Sequence, residues 1–274
     1  MPPEPRIADE ILSCALPVEE NLFAELSASV RWEDVGKGRR GAVLTRVDET
    51  GRVPLVRTTT RYGIPAQRFR VVHERLAQQI QERTALSVGF NNALIESYTN
   101  AYTKMGSHSD QALDLADESF IAVFSCYRHP EASPPRKLIF ESKGSDARRL
   151  DAGRSDARGS DGEKFEIPLA HNSVVVFSVD ANRRLRHRIV LDAPLQAAQA
   201  ADNQWLGVTF RTSKTFVRFR DGHAYLPQGE RLIPADDEQS REFYRLRRRE
   251  NQETDFSYPL LPYTISASDL MPPA

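Results

Sequence analysis

The sequence predicts a mainly β protein, a sandwich or jelly roll with flanking helices. Short apolar runs recur from Leu94 onward at spacings that leave room for turns, and 17 prolines and 14 glycines are available to make them. The best helical pattern, at 69–84, lies ahead of those runs rather than between them. With 274 residues, 40% of them apolar, the chain can bury one substantial core.

Taken in order, residues 8–26 have the spacing of a short helix, broken at Pro17. Residues 30–56 mix glycine with charge and predict hairpins that flank the core. In 69–84, Val72, Leu76 and Ile80 recur at four-residue spacing, and His73 on this helix reads as structural. Strands are expected at 120–127, 137–140, 165–169, 173–179, 188–191 and 205–219. One segment interrupts them: 141–164 is rich in Gly, Ser, Asp and Arg and carries Ser-Asp-Ala-Arg at both 145–148 and 155–158. Its scarcity of apolar residues predicts a mobile insertion, with a lid over a site as the functional alternative. Beyond Phe219, Asp236, Asp237 and Glu238 open a charged helix over 236–251, where acidic residues suit the positive end of the helix dipole. Phe243 and Leu246 are its apolar contacts. The expected organisation is a catalytic domain over 1–220 and a helical and extended appendage over 221–274 packed on it.

Composition narrows the function. A net charge of −1 and a pI near 6.6 are not the footprint of a protein that binds nucleic acid through a broad basic surface. Cys14 and Cys126 have no metal-binding spacing and no disulfide framework, which suits a reducing compartment. The first residues lack a basic and apolar leader, and no run reaches the about 18 apolar residues of a membrane span. A soluble, cytoplasmic protein without membrane partners is expected.

The chemistry concentrates in His108-Ser109-Asp110, followed much later by His187 and then Arg211. Two imidazoles and one carboxylate form the facial triad that holds non-haem Fe(II) with positions left open. In H-x-D the middle residue points away, so both ligands share a face of extended chain. Alone the tripeptide is weak, since His108 also suits a turn and Asp110 an N-cap. Its surroundings strengthen it: His187 follows the apolar run 173–178, and Arg211 follows 205–210, so both emerge from sheet elements. A guanidinium there matches a carboxylate bidentately, as a dicarboxylate co-substrate requires.

Phe90-Asn91-Asn92-Ala93-Leu94-Ile95-Glu96-Ser97-Tyr98, followed by Ser107-His108-Ser109-Asp110, resembles the AlkB-like branch of the Fe(II)/2-oxoglutarate dioxygenases. That branch carries an F-N-x-x-L-x-x-x-Y strand about ten residues ahead of the first ligands, then the distal histidine and an R-x-N-x-T-x-R strand. The resemblance spans roughly 54–220. It implies a double-stranded β-helix core, with His108, Asp110 and His187 as catalytic iron ligands and Fe(II), 2-oxoglutarate and O2 as cofactor and co-substrates. It also implies Arg211 as partner of a 2-oxoglutarate carboxylate and Tyr98 as a hydrogen-bond donor to it. Read from Arg211 forward, the last motif departs from the pattern: Ser213 stands for the asparagine and Val217 for the second arginine. Lys214, Arg218 and Arg220 are the other cations nearby.

Two basic stretches bear on substrate. Arg183-Arg184-Leu185-Arg186-His187-Arg188 surrounds the distal ligand, either to meet an acidic substrate or simply as a solvated strand face. Arg57, Arg61 and Tyr62 lie where AlkB-like enzymes carry a substrate-recognition hairpin, although the aromatic-rich version is thin here. Hydroxylation of a small molecule or metabolite is favoured by the acidic pI and that thin hairpin. Oxidative demethylation of alkylated nucleic acid or of protein is the alternative, favoured by the resemblance and the arginines. A non-enzymatic binding module is disfavoured by the intact triad.

Overall fold

Two β-sheets lie face to face in the computed structural model, which describes residues 6–18, 20–131, 136–143, 164–192 and 203–274. The insertion expected at 141–164 falls outside the described residues except for its ends, which belong to strands. A 3-10 turn, Ile7–Glu10, leads into β1 (Ile11–Ala15), and α1 (Leu22–Ala28) follows. Then come β2 (Glu33–Gly36), β3 (Arg39–Thr45), β4 (Val53–Leu55), β5 (Gln67–Arg68), α2 (Val71–Thr84) and β6 (Asn92–Tyr98). The core continues with β7 (Phe120–Tyr127), β8 (Arg136–Ser142), β9 (Lys164–Leu169), β10 (Ser173–Ser178), α3 (Val179–Arg184), β11 (Leu185–Leu191) and β12 (Trp205–Arg211). The last elements are β13 (Thr215–Arg220), β14 (His223–Tyr225), β15 (Ile233–Pro234), α4 (Asp237–Glu250), β16 (Tyr263–Thr264) and a closing 3-10 turn, Ala267–Leu270.

The large sheet runs β1-β10-β7-β12-β6-β3-β2, with β5 beside β3, and the small sheet runs β11-β8-β9. The chain crosses between them after β7, β9, β10 and β11, and this alternation makes the jelly roll predicted from the sequence. The apolar runs are continuous because the large sheet is buried on both faces. From β7, Ile121, Val123 and Tyr127 point into the core between the sheets, alongside Leu138 and Phe140 of β8 and Ile167 and Leu169 of β9. Ala122, Phe124 and Cys126 point the other way, beneath Leu22, Phe23 and Leu26 of α1 and Leu76 and Ile80 of α2. A strand buried on both faces loses its polar alternation.

Two expectations fail, and the first is the strand over 205–219, which is two strands, β12 and β13, in different sheets. Residues 8–26 are not a helix: Ile11–Ala15 pairs antiparallel with β10, Ile11 opposite Phe177, and only Leu22–Ala28 is helical. The unpaired edge of β10 offers backbone partners that outweigh local helical spacing. The true helix starts where the Asn21 side chain accepts from the Phe23 N–H.

The turn between β2 and β3 decides where Arg39 lies. Gly36, Lys37 and Gly38 all adopt positive φ. A side chain on Gly38 would also meet Thr99 Oγ1 at 2.3 Å, so only glycine lets β3 start so close to the end of β6.

His73 is structural, as expected. It is fully buried; its Nδ1 accepts from the Arg70 N–H at 3.0 Å and its Nε2 lies 2.8 Å from Ser29 Oγ, which donates on to Leu26 C=O. Burial, and next the charge of Arg70, push its pKa down to about 4. A second proton would have to sit on Nδ1, facing a donor. The unfolded chain therefore binds more protons than the fold between about pH 6.5 and 4, and stability declines as pH falls through that window. His73→Gln is expected to flatten the fall in unfolding free energy between pH 7 and 4.5 by roughly 2–3 kcal/mol. Urea melts at these two pH values test this, and an unchanged slope would refute it.

Candidate metal centre

The site forms where the small sheet opens at one end. Residues 104–108 run along the free edge of β11 as a fourth strand position, with Lys104 bridged to Val190 and His108 to His187. His108 N–H donates to His187 C=O at 2.9 Å, and His187 N–H donates back to His108 C=O at 2.6 Å. The two imidazoles are thus fixed side by side by the backbone, with ring centroids 4.7 Å apart. Asp110 follows at the next position on the same face. One of its oxygens lies 3.6 Å from His187 Nε2 and 4.0 Å from His108 Nε2. The three donor atoms lie within 4.8 Å of one another.

The protonation states suit a metal. His108 Nδ1 donates to Gly106 C=O at 2.9 Å, which leaves the Nε2 lone pair facing Asp110. His187 packs against the rings of Phe140 and Phe177, and burial, then His108, push its pKa down to about 3. Burial and the nearby Arg247 also lower that of His108. Burial alone would raise the pKa of Asp110. The Arg211 guanidinium overcomes this: its Nε donates to Oδ2 at 2.7 Å and, with His187, holds the carboxyl well below the usual carboxylate range. Two neutral imidazoles and one carboxylate are the donor types that a first-row divalent ion takes, and ligands must be in these forms to bind it.

The triad opens on a cavity of about 100 Å³. The inner face of the large sheet supplies Arg39, Leu94, Glu96, Val123, Thr209 and Arg211. Thr58, Thr59 and Thr60 form another wall, and Gln111 and Arg247 flank the ligands.

Several predicted residues lie elsewhere. The Arg57 side chain is buried and committed to Asp114, donating from Nε at 3.0 Å and Nη2 at 2.8 Å, while its Nη1 donates to Leu261 C=O and Tyr263 C=O. Tyr62 is buried against Gly41, and Arg61 is exposed beside the Tyr244 ring. Neither lines the cavity. Tyr98 is fully buried between Tyr102 and Trp205, and its hydroxyl donates to Glu96 Oε2 at 2.8 Å, so it supports the wall without reaching the cavity. Ser213 donates its hydroxyl to Leu55 C=O and accepts from the Thr215 N–H. Arg183 pairs with Asp117, Arg184 with Glu10 and Asp180, and Arg186 and Arg188 with Glu141. Around His187 the alternation is strict: the histidine faces in, and its arginine neighbours face out.

The family strand pattern also shifts. Read forward from Arg211 it fails because β12 ends there, and Val217 sits in β13, buried against Val53 and Leu55 outside the inter-sheet core. Lys214 pairs with Asp117, and Arg218 and Arg220 lie on β13. Read over 205–211, the same pattern matches Thr209 and Arg211, both on the cavity, with Trp205 and Gly207 at the first arginine and the asparagine. The Trp205 ring covers Gly207, where a Cβ would meet it at 2.1 Å. Sequence reading missed Arg39 and Arg247, and nothing local in the sequence marks either.

No protein-family model and no curated protein matches the sequence. Solved structures similar to it include OsALKBH1, at 12% identity and a TM-score of 0.42, covering 74% of this chain and 96% of that one. Another is a Pseudomonas putida prolyl-4-hydroxylase, at 15% identity and a TM-score of 0.39, covering 75% and 96%.

The placement of Arg57 makes it structural. Removing one partner of a buried ion pair costs about 3–5 kcal/mol, because the other is left uncompensated. Asp114→Ala is expected to lower unfolding free energy by that amount in denaturant melts, and a loss below about 1 kcal/mol would return Arg57 to the list of ligand-binding candidates.

Proposed function

We propose that the protein is an Fe(II)- and 2-oxoglutarate-dependent dioxygenase that hydroxylates a C–H bond of a small molecule, releasing succinate and CO2. The observation that carries this reading is the convergence of His108, Asp110 and His187 on a cavity that also holds two guanidinium groups, Arg39 and Arg211. Bound Fe(II), with 2-oxoglutarate and O2, supplies the oxidising chemistry. The chain supplies binding, orientation and exclusion of water.

In this reading, Arg211 keeps Asp110 ionised and offers the rest of its fork to one co-substrate carboxylate. Arg39 takes the other. It stands directly across from Tyr98 on one side, as Trp205 does on the other, so a cation comes from β3 where β12 carries an indole. Arg39 donates to Glu96 Oε1 at 2.7 Å and to Thr60 Oγ1 at 3.2 Å, and Glu96 is the partner that an incoming carboxylate displaces. Leu94, Val123, Leu138 and Ile189 keep the cavity dry, which strengthens these charge interactions.

The lining beside the triad favours an uncharged small substrate, met outside a cavity that the co-substrate fills. At roughly 10–15 Å³ for each water-sized group, the space accommodates something close to the co-substrate alone. The substrate then approaches across the polar but uncharged Thr58–Thr60 wall. Of the arginines that would serve nucleic-acid phosphates, Arg57 and those flanking His187 are tied to acidic side chains, and Arg61 lies exposed beside the Tyr244 ring outside the cavity.

The test is succinate formation by the purified chain with Fe(II), 2-oxoglutarate and ascorbate in air, alone and with a metabolite pool or methylated oligonucleotides. Uncoupled turnover, raised by the metabolite pool and abolished in His187→Ala, is expected. Stimulation by methylated oligonucleotides alone would select demethylation, and complete silence would refute the dioxygenase assignment. Arg39→Ala is expected to raise the KM for 2-oxoglutarate at least tenfold, about 1.4 kcal/mol, with a smaller effect on kcat. An unchanged KM would leave Arg211 as the sole anchor.

A further inference from the structure

The residue between the two proposed ligands on the H-x-D segment is gripped by the C-terminal helix. Ser109 N–H donates to Asn251 Oδ1 at 3.0 Å, and Ser109 Oγ donates to the same oxygen at 3.2 Å. Ser109 C=O accepts from Arg247 Nη2. Two residues beyond Asp110, the segment is held again, where Ala112 N–H donates to Glu250 Oε1 at 2.7 Å. Glu250 is itself fixed by Arg247 Nη1 and by Tyr258 Oη, both at 2.6 Å. The far end of this turn is anchored to the small sheet, because Lys143 Nζ, one residue past β8, donates to Glu250 C=O at 2.6 Å. On the opposite side, Asn182 of α3 accepts from Asp110 N–H at 2.7 Å and donates to Asp110 C=O at 2.8 Å. Arg247 and Glu250 are buried, and Arg247 also lines the cavity.

We propose that Arg247, Glu250 and Asn251 are positioning residues for the metal centre, and that the last turn of α4 is part of the site rather than an appendage to it. This rests on the metal reading of His108, Asp110 and His187. The physical case is that a segment with no regular strand partner on this side has its Ser109 N–H, Ser109 C=O and Ala112 N–H satisfied by three side chains of one helical turn. Buried backbone groups require partners. Here the partners come from a rigid element more than 130 residues away in sequence, at separations of 138 and 142. With Ser109 held, the imidazole and carboxylate on either side of it keep the spacing that one ion needs. Residues that orient first ligands in this way typically change metal affinity by about 10–100-fold when removed.

The experiment measures Co(II) affinity of the full chain by its visible d–d absorption, with melting of the metal-free protein as the control for folding. Wild type binding Co(II), and His187→Ala not binding it, establishes the centre independently; failure there would refute the metal reading itself. Asn251→Leu, which removes the acceptor, is expected to weaken Co(II) binding 10–100-fold while the metal-free chain still melts cooperatively. Asn251→Asp, which retains an acceptor oxygen, is expected to stay within a few-fold of wild type. Co(II) affinity within twofold of wild type in folded Asn251→Leu would overturn the proposal. Should that variant not melt cooperatively, Arg247→Lys decides: it keeps a cation but lacks the fork that reaches Ser109 and Glu250 together. A loss of at least fivefold supports the proposal, and an unchanged affinity overturns it.

Discussion

A carboxylate buried between two sheets governs the arrangement around it. Asp110 is almost without solvent, and an isolated charge there would cost several kcal/mol or be neutralised by a proton. It remains ionised because Arg211 reaches it from the end of β12, while the two imidazoles stand beside it as neutral donors. Each of these contacts requires a particular end of a particular strand at the same place. The register of β12 against β6 and β7, and the pairing of His108 with His187, are therefore constraints of the site as well as of the fold.

The large sheet makes that register rigid. With helices on one face and the small sheet on the other, its central strands cannot slip by one residue without exchanging the side chains packed beneath the helices for those facing the small sheet. The same double burial lets one strand serve two purposes. Along β12, Leu206, Val208 and Phe210 pack beneath the helices, while Thr209 and Arg211 face the cavity. Function here uses the positions that face the inter-sheet space near its open end, where the apolar core of Phe140, Phe177 and Leu185 gives way to polar groups.

What the sequence revealed follows from how local each signal was. The strand runs and the 69–84 helix were legible because their periodicity is contained within a few residues. The triad was legible because H-x-D is a local pattern and His187 lies on a strand of recognisable composition. The helix expected over 8–26 was misread because pairing of 11–15 with β10 is a property of the sheet and not of that segment. Arg57 and Tyr62 carried the right chemistry for substrate contact, but Asp114, 57 residues away, and the Gly41 backbone take them out of the cavity. Arg39 and Arg247 were invisible for the converse reason: nothing in the residues around them differs from a solvated basic residue.

Arg39 also shows how a sheet carries a charge to a site in a way that a linear motif does not. Trp205, Tyr98 and Arg39 form one row across three neighbouring strands, since Tyr98 is the register partner of both of the others. Side chains in such a row point to the same face and stand about 5 Å apart from strand to strand. A guanidinium long enough to span that distance can serve the same region from either flank. The indole at 205 fills its own flank by folding over Gly207 and donating to Ser125 Oγ at 2.5 Å, which leaves the β3 flank for a cation. Glu96, on the same strand as Tyr98 and two residues before it, then balances the charge of Arg39 and accepts from Tyr98. Within this row the cation comes from β3 and faces the same inter-sheet space as Arg211. A motif read along one strand therefore marks Arg211 and not Arg39, although both line the cavity.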